Sequence, residues 1–178
     1  MQEVRTAGFD KLSVDDLVKM RIHGVTPEFI RSMRERGYKD LSIEDMVKMR
    51  IHGVSPEFMK EISSLGYSNP GIQDLVSMRI HGVSAAFIKE LAALGYTKLS
   101  IDDLVKMRIH GVTPEFIREL KDRGYGSLPS ERLVQFRIHG VDGDFIRDVQ
   151  KAGMKDMTPQ DLVDLSIHGG RRWLRKTR

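Results

Sequence analysis

The chain has 178 residues, 40% of them hydrophobic and 30% charged, with 29 Lys and Arg against 25 Asp and Glu, six His and no Cys. This composition is too apolar for a disordered chain and too polar for an integral membrane protein, and the absence of cysteine excludes disulfides, zinc–thiolate sites and thiol nucleophiles. No apolar run approaches the roughly 18 residues of a membrane helix. Met1-Gln2-Glu3-Val4-Arg5 holds no signal-peptide core, so a cytoplasmic setting is the expectation.

All six histidines fall in one tripeptide, Ile-His-Gly, and the interval between them is always 29 residues. The pairs are His23 and Gly24, His52 and Gly53, His81 and Gly82, His110 and Gly111, His139 and Gly140, and His168 and Gly169. A fixed period of this size marks a stack of small units, so the predicted fold is all-α: an α-solenoid of about six 29-residue helix–turn–helix repeats. In chain order, residues 1–11 read as an N-terminal half-repeat, the end of a second helix, because Gly8 and Phe9 precede Gly37 and Tyr38 by one period. Repeats 1 to 5 follow over 12–40, 41–69, 70–98, 99–127 and 128–156. A degenerate repeat 6 covers 157–170, and 171–178 is a basic stretch, read either as a closing helix or as a frayed tail.

Repeat 4 is the clearest. Ser100 is a predicted N-cap, with Asp103 three residues on as in a capping box. Ile101, Leu104, Val105 and Ile109 then recur at helical spacing, predicting a core stripe. Gly111 ends the helix in the left-handed conformation, and Val112 is placed for the hydrophobic contact of such a cap. Thr113 caps a second helix, with Pro114 at its first position and Glu115 at its positive end. Phe116, Ile117 and Leu120 form its apolar stripe, and Gly124 closes it before Tyr125. Helices of about 9–11 residues are marginal alone in water, so stability must come from stacking. Repeat 3 lacks the Leu-Ser start and has Asn69-Pro70-Gly71, and repeat 5 has Arg132 where the capping Asp stands elsewhere. Such departures indicate natural drift.

Several residues recur as columns. Neighbouring histidines on stacked helices lie on the order of 10 Å apart. That is too far to share an ion that needs ligands at about 2.0–2.1 Å. The expected role of the His-Gly pairs is therefore structural, at the turn. The column Arg21, Arg50, Arg79, Arg108 and Arg137 is the candidate partner-binding strip; the competing expectation is ion pairing between repeats. A second basic column is Arg31, Lys60, Lys89, Arg118 and Arg147, and acidic columns accompany it. The Phe and Tyr columns are read as core. No metal or other cofactor is implied.

The net charge of +4 comes from the end of the chain. Residues 171–178 hold Arg171, Arg172, Arg175, Lys176 and Arg178 and no acid, which leaves 24 basic against 25 acidic residues elsewhere. With Trp173, these residues are the candidate contact for an anionic partner.

The Ile-His-Gly-Val-Thr turn resembles the helix-hairpin-helix DNA-binding motif, whose hairpin amides hold a phosphate. The first glycine of that motif matches Gly24, Gly53, Gly82, Gly111 and Gly140, whereas Thr26, Ser55, Ser84, Thr113 or Asp142 stands at the second. The whole unit, Leu-Val-x-Met-Arg-Ile-His-Gly-Val-Thr-Pro-Glu-Phe-Ile, is similar to tandem repeats that follow the membrane region of bacterial antirepressor-type (beta-lactam-sensor-like) metallopeptidases. That resemblance implies an accessory, interaction-mediating array. It carries no peptidase activity over, because no His-Glu-x-x-His is present. The expected function is a non-enzymatic scaffold for protein or peptide. The alternatives are a nucleic-acid-binding array and end-to-end self-association.

Overall fold

The computed structural model describes residues 12–176. The predicted half-repeat at 1–11, Arg178 and the side chains of Arg171, Arg175 and Lys176 lie outside that description. Twelve helices and no strands occur among the described residues. They are α1 (Val14–His23), α2 (Pro27–Glu35), α3 (Ile43–Ile51), α4 (Pro56–Ser64), α5 (Ile72–Ile80), α6 (Ala85–Ala93), α7 (Ile101–Ile109), α8 (Pro114–Asp122), α9 (Ser130–Ile138), α10 (Gly143–Lys151), α11 (Pro159–Ile167) and α12 (Gly170–Lys176). The chain divides into two compact units, Met1–Ala85 and Ala86–Arg178.

In the first unit the leading helices α1, α3 and α5 pack in series, and α2 packs on α4. In the second, α7, α9 and α11 form one row, and α8, α10 and α12 form another. Each unit is thus two layers of short helices stacked repeat on repeat, the packing of an α-solenoid. Helices this short bury little by themselves, so each depends on its neighbours along the row.

The local grammar explains where each helix begins. Ser13, Ser42, Ser100 and Thr158 each accept the N–H of the Asp three residues on, and that Asp accepts the cap's own N–H in return. These reciprocal bonds are full capping boxes, with Asp in the place of the usual Glu. Gly71 and Pro129 lead α5 and α9 with no side-chain cap, as the irregular starts of repeats 3 and 5 implied. Replacing Ser100 with alanine is expected to cost about 1 kcal/mol, read as a lower urea midpoint.

The capping carboxylates also set an acid limit on stability. Hydrogen bonds from Ser13 hold Asp16 below its ordinary value, and bonds from Thr158 hold Asp161 there too. A depressed folded-state pKa adds stability that is present above the unfolded value and lost as pH falls through the folded one. Melting temperature should therefore drop below about pH 3.9, the ordinary aspartate value. Ser13→Ala should flatten that drop, and an unchanged slope would show that the cap does not carry it.

At the helix ends, Gly111 has φ +69° and donates to Arg108 O at 3.1 Å, while Val112 N–H donates to Met107 O at 2.8 Å. These are the two bonds of a Schellman turn. They bring Val112 into the core, fully buried. The predicted stripe of α7 needs one correction. Leu104 and Val105 are buried, but Ile109 is 52% exposed and Met107 occupies the core instead. The left-handed glycine folds Val112 back to close the end of the core, and Ile109 is left on the outside. Met20, Met49, Met78, Met107 and Phe136 form the corresponding buried column along the chain.

For the described part of the final basic stretch, the closing-helix reading applies. Gly170–Lys176 is helical and packs on α10 and α11, with Leu174 buried. It completes repeat 6 beyond residue 170. Gly169 takes φ +85°, and a Cβ on Gly170 would lie 2.6 Å from Leu165 O. The Gly-Gly pair therefore permits a turn too tight for the valine found in the other repeats.

Candidate functional site

The arginine column bonds repeat to repeat, and its partners are rings. Arg50, Arg79, Arg108 and Arg137 place their guanidinium carbons 5.3, 5.0, 5.0 and 4.9 Å from the ring centroids of Phe29, Phe58, Phe87 and Phe116. The rings are buried, and each arginine covers one as a cation–π lid. The same guanidinium seats against the glycine of the preceding turn. Arg137 Nη2 would be 3.1 Å from a Cβ on Gly111, and Arg50 Nε donates to His23 O at 3.4 Å. The last turn of a helix is the negative end of its dipole, so the arginine also answers the preceding repeat electrostatically. Arg21, at the head of the column, is exposed.

Ion pairs form instead at the arginines of the second basic column. Arg31 reaches Glu28 at 3.2 Å, Arg118 reaches Glu115 at 3.0 Å and Glu90 at 3.6 Å, and Arg147 reaches Asp144 at 2.6 Å. All of these are exposed pairs with modest energies, at most about 1 kcal/mol each.

The histidines sit at the turns. His52, His81, His110, His139 and His168 are C-cap residues, and His168 Nδ1 lies 2.7 Å from Asp164 O. Among the described residues, no three of His, Asp and Glu gather where they could hold an ion.

At the hairpin, Gly111 and Val112 N–H are bonded within the turn, and Phe116 N–H donates to Thr113 Oγ1 at 3.2 Å. Pro114 has no N–H to offer. The Glu115 carboxylate is turned back on its own N–H, which holds it below its ordinary pKa, with further help from the Thr113 hydroxyl and Arg118. Glu28 and Glu57 behave alike. The head of the second helix is therefore filled by a carboxylate of the chain itself.

Two features escaped the reading of the sequence. The tyrosines are latches: Tyr38 Oη donates to Pro70 O at 2.6 Å, Tyr96 to Leu128 O at 2.7 Å, and Tyr125 to Met157 O at 2.8 Å, each 32 residues along the chain. Burial pushes all three phenols above their ordinary pKa, with nearby carboxylates adding to the effect at Tyr38 and Tyr125. Tyr125→Phe is expected to lower stability by about 1 kcal/mol in urea unfolding, since it leaves a loop carbonyl unbonded.

The second feature is a row of exposed isoleucines. Ile22, Ile51, Ile80, Ile109, Ile138 and Ile167 are between 52% and 70% exposed, one per repeat at one register. Their recurrence beside each His-Gly was visible in the sequence, but their exposure was not. In the candidate anionic contact, Arg172 is exposed and Trp173 is 49% exposed. Among the described residues, no helix is long and apolar enough to cross a membrane.

Fold and surface together define an all-α tandem-repeat protein whose polar and apolar groups recur as parallel columns. Compared with known proteins, the chain matches no family model and no curated protein.

Proposed function

We propose that this chain is a non-catalytic helical-repeat scaffold that binds a protein or peptide along the ends of its leading helices. The observation that supports this reading is the isoleucine row. A β-branched apolar side chain more than half exposed at one register of successive repeats gives up much of its burial, and such side chains lined up on stacked repeats can form the contiguous apolar strip that marks an interaction surface. The polar residues come as copies of the same few types, whereas an active site needs unlike groups converging on one point. The similarity to repeats beside bacterial sensor-type metallopeptidases supports a place as an accessory module of a regulatory protein.

The test is selection from a displayed peptide library on the intact chain, followed by a triple Ile22/Ile51/Ile80→Lys variant. Selected peptides should lose at least tenfold in affinity. Unchanged binding would sink the proposal, as would steeply salt-dependent binding of duplex DNA with no peptide selected.

A specific observation favours a second reading, self-association through α1. Val14 and Val18 are 79% and 48% exposed, while at the register of Val18 the residues Val76, Val105 and Val163 are buried and Val47 and Val134 half-buried. Light scattering across a concentration series should show a mass increase that Val18→Lys abolishes. A constant monomer mass would eliminate it.

A further inference from the structure

A cleft of about 500 Å³ opens in the first unit, where the end of α2 meets α4 and the connection into α5. Arg36, Lys60, Ser63, Ser64 and Asn69 supply its polar lining, and Met59 and Tyr38 belong to its apolar wall. Arg36 is held in place: its Nη1 donates to Ser32 O at 2.9 Å and to Ser32 Oγ at 2.8 Å. Those bonds occupy one nitrogen and leave the rest of the guanidinium fork free. Neither Arg36 nor Lys60 has an ion-pair partner among the described residues; at the register of Lys60 the arginines Arg31, Arg118 and Arg147 are paired, and the other lysine, Lys89, is not. Two carboxylates act on the region through space. Glu57 feels Arg36 but is engaged by its own N–H and Ser55, and Asp74 acts on Tyr38.

Ser63 and Ser64 leave the cleft open and bring hydroxyls to it. The corresponding positions carry the longer Arg34 and Glu35, Lys121 and Asp122, or Gln150 and Lys151 in repeats 1, 4 and 5, and in repeat 3 Ala92 and Ala93, which are small but have no hydroxyl. In the second unit, Gln150 spans this space and donates to Arg123 O at 3.4 Å. Ser64 Oγ donates to Glu61 O, which leaves its lone pairs to accept, and Ser63 lines the cleft beside it.

We propose that this cleft binds an organic phosphate monoester. A guanidinium fork, an ammonium and a serine hydroxyl together match the several oxygens of a phosphate. The half-buried Tyr38 ring, whose hydroxyl is already committed to Pro70 O, offers a surface for the ester's apolar part, with the largely buried Met59 in the same wall. The volume lies within the roughly 300–1,000 Å³ of small-molecule sites. This site is independent of the isoleucine row, and either can fail without the other.

The experiment is an amide chemical-shift titration of the full chain with phenyl phosphate. Saturable shifts are expected at Arg36, Lys60, Ser63 and Ser64. Ser63→Gln places there the residue that the second unit carries at Gln150. It should keep the fold and weaken binding at least tenfold, as should Arg36→Leu. Inorganic phosphate and phenol should each bind at least tenfold more weakly than the ester. Unchanged binding by both variants, or non-saturating shifts spread over the basic columns, would overturn the site. Equal binding of inorganic phosphate would overturn the assignment to a monoester, and equal binding of phenol would overturn the anionic head.

Discussion

Replacing Phe116 with alanine is expected to lower the unfolding free energy by about 3–5 kcal/mol, the range for truncating a buried aromatic. The ring is buried and lies beneath Arg137 at 4.9 Å from centroid to guanidinium carbon. Two losses combine: the cavity left in the stripe of α8, and the surface on which the arginine of the next repeat rests. The second loss can be isolated. In a double-mutant cycle with Arg137→Ala, the coupling should be about 0.5–2 kcal/mol, since a partly desolvated cation–π pair falls in that range. Urea unfolding of the four proteins supplies the numbers. Additivity within about 0.3 kcal/mol would show that Arg137 covers the ring without binding it. Because the same arrangement recurs at Phe29, Phe58 and Phe87, the cycle tests an interaction that joins repeat to repeat throughout each unit.

Val112→Lys is expected to unfold the protein locally or to cost several kcal/mol, whereas Ile109→Lys, three residues earlier, should be within about 0.5 kcal/mol of neutral. Both positions are apolar and adjacent to the same turn. Val112 is fully buried, so its replacement would leave a charge in the core with no partner. Ile109 is 52% exposed at the last turn of α7, where a cation is favoured by the helix dipole. Circular dichroism and thermal melts of the two variants decide the matter. If Ile109→Lys melted like Val112→Lys, the isoleucine row would belong to the core and would be unavailable to a partner.

The contrast between these two residues also marks how far the sequence was legible. Caps could be read because their chemistry is local. Ser100 and Asp103 exchange bonds within three residues, Thr113 receives Phe116 N–H over the same span, and Gly111 needs only its own positive φ. The buried second-helix stripe of Phe116, Ile117 and Leu120 was equally plain, since one helical face is set by spacing alone. Ile109 was misplaced because spacing says which face a residue shares and not whether a neighbour reaches that far along the helix. The columns of arginine and tyrosine were visible as columns, but their partners lie a repeat away. A guanidinium over a ring is not distinguishable by type or spacing from one beside a carboxylate. The exposed isoleucines and the cleft at Ser63 depend on what the adjacent repeat leaves uncovered, which no single repeat encodes.

The sequence by itself determined the 29-residue period, the all-α class, the side-chain caps that start most of the helices and the glycine turns, because each rests on interactions spanning a few residues or on backbone conformations only glycine adopts cheaply. The tertiary structure alone decided that arginines lie on phenylalanines, that tyrosines latch onto carbonyls 32 residues ahead, that Gly170–Lys176 closes the second unit as a helix, and that one isoleucine per repeat stays outside. Those outcomes follow from stacking, in which each short helix gains its stability, and its exposed surface, from the neighbours it packs against.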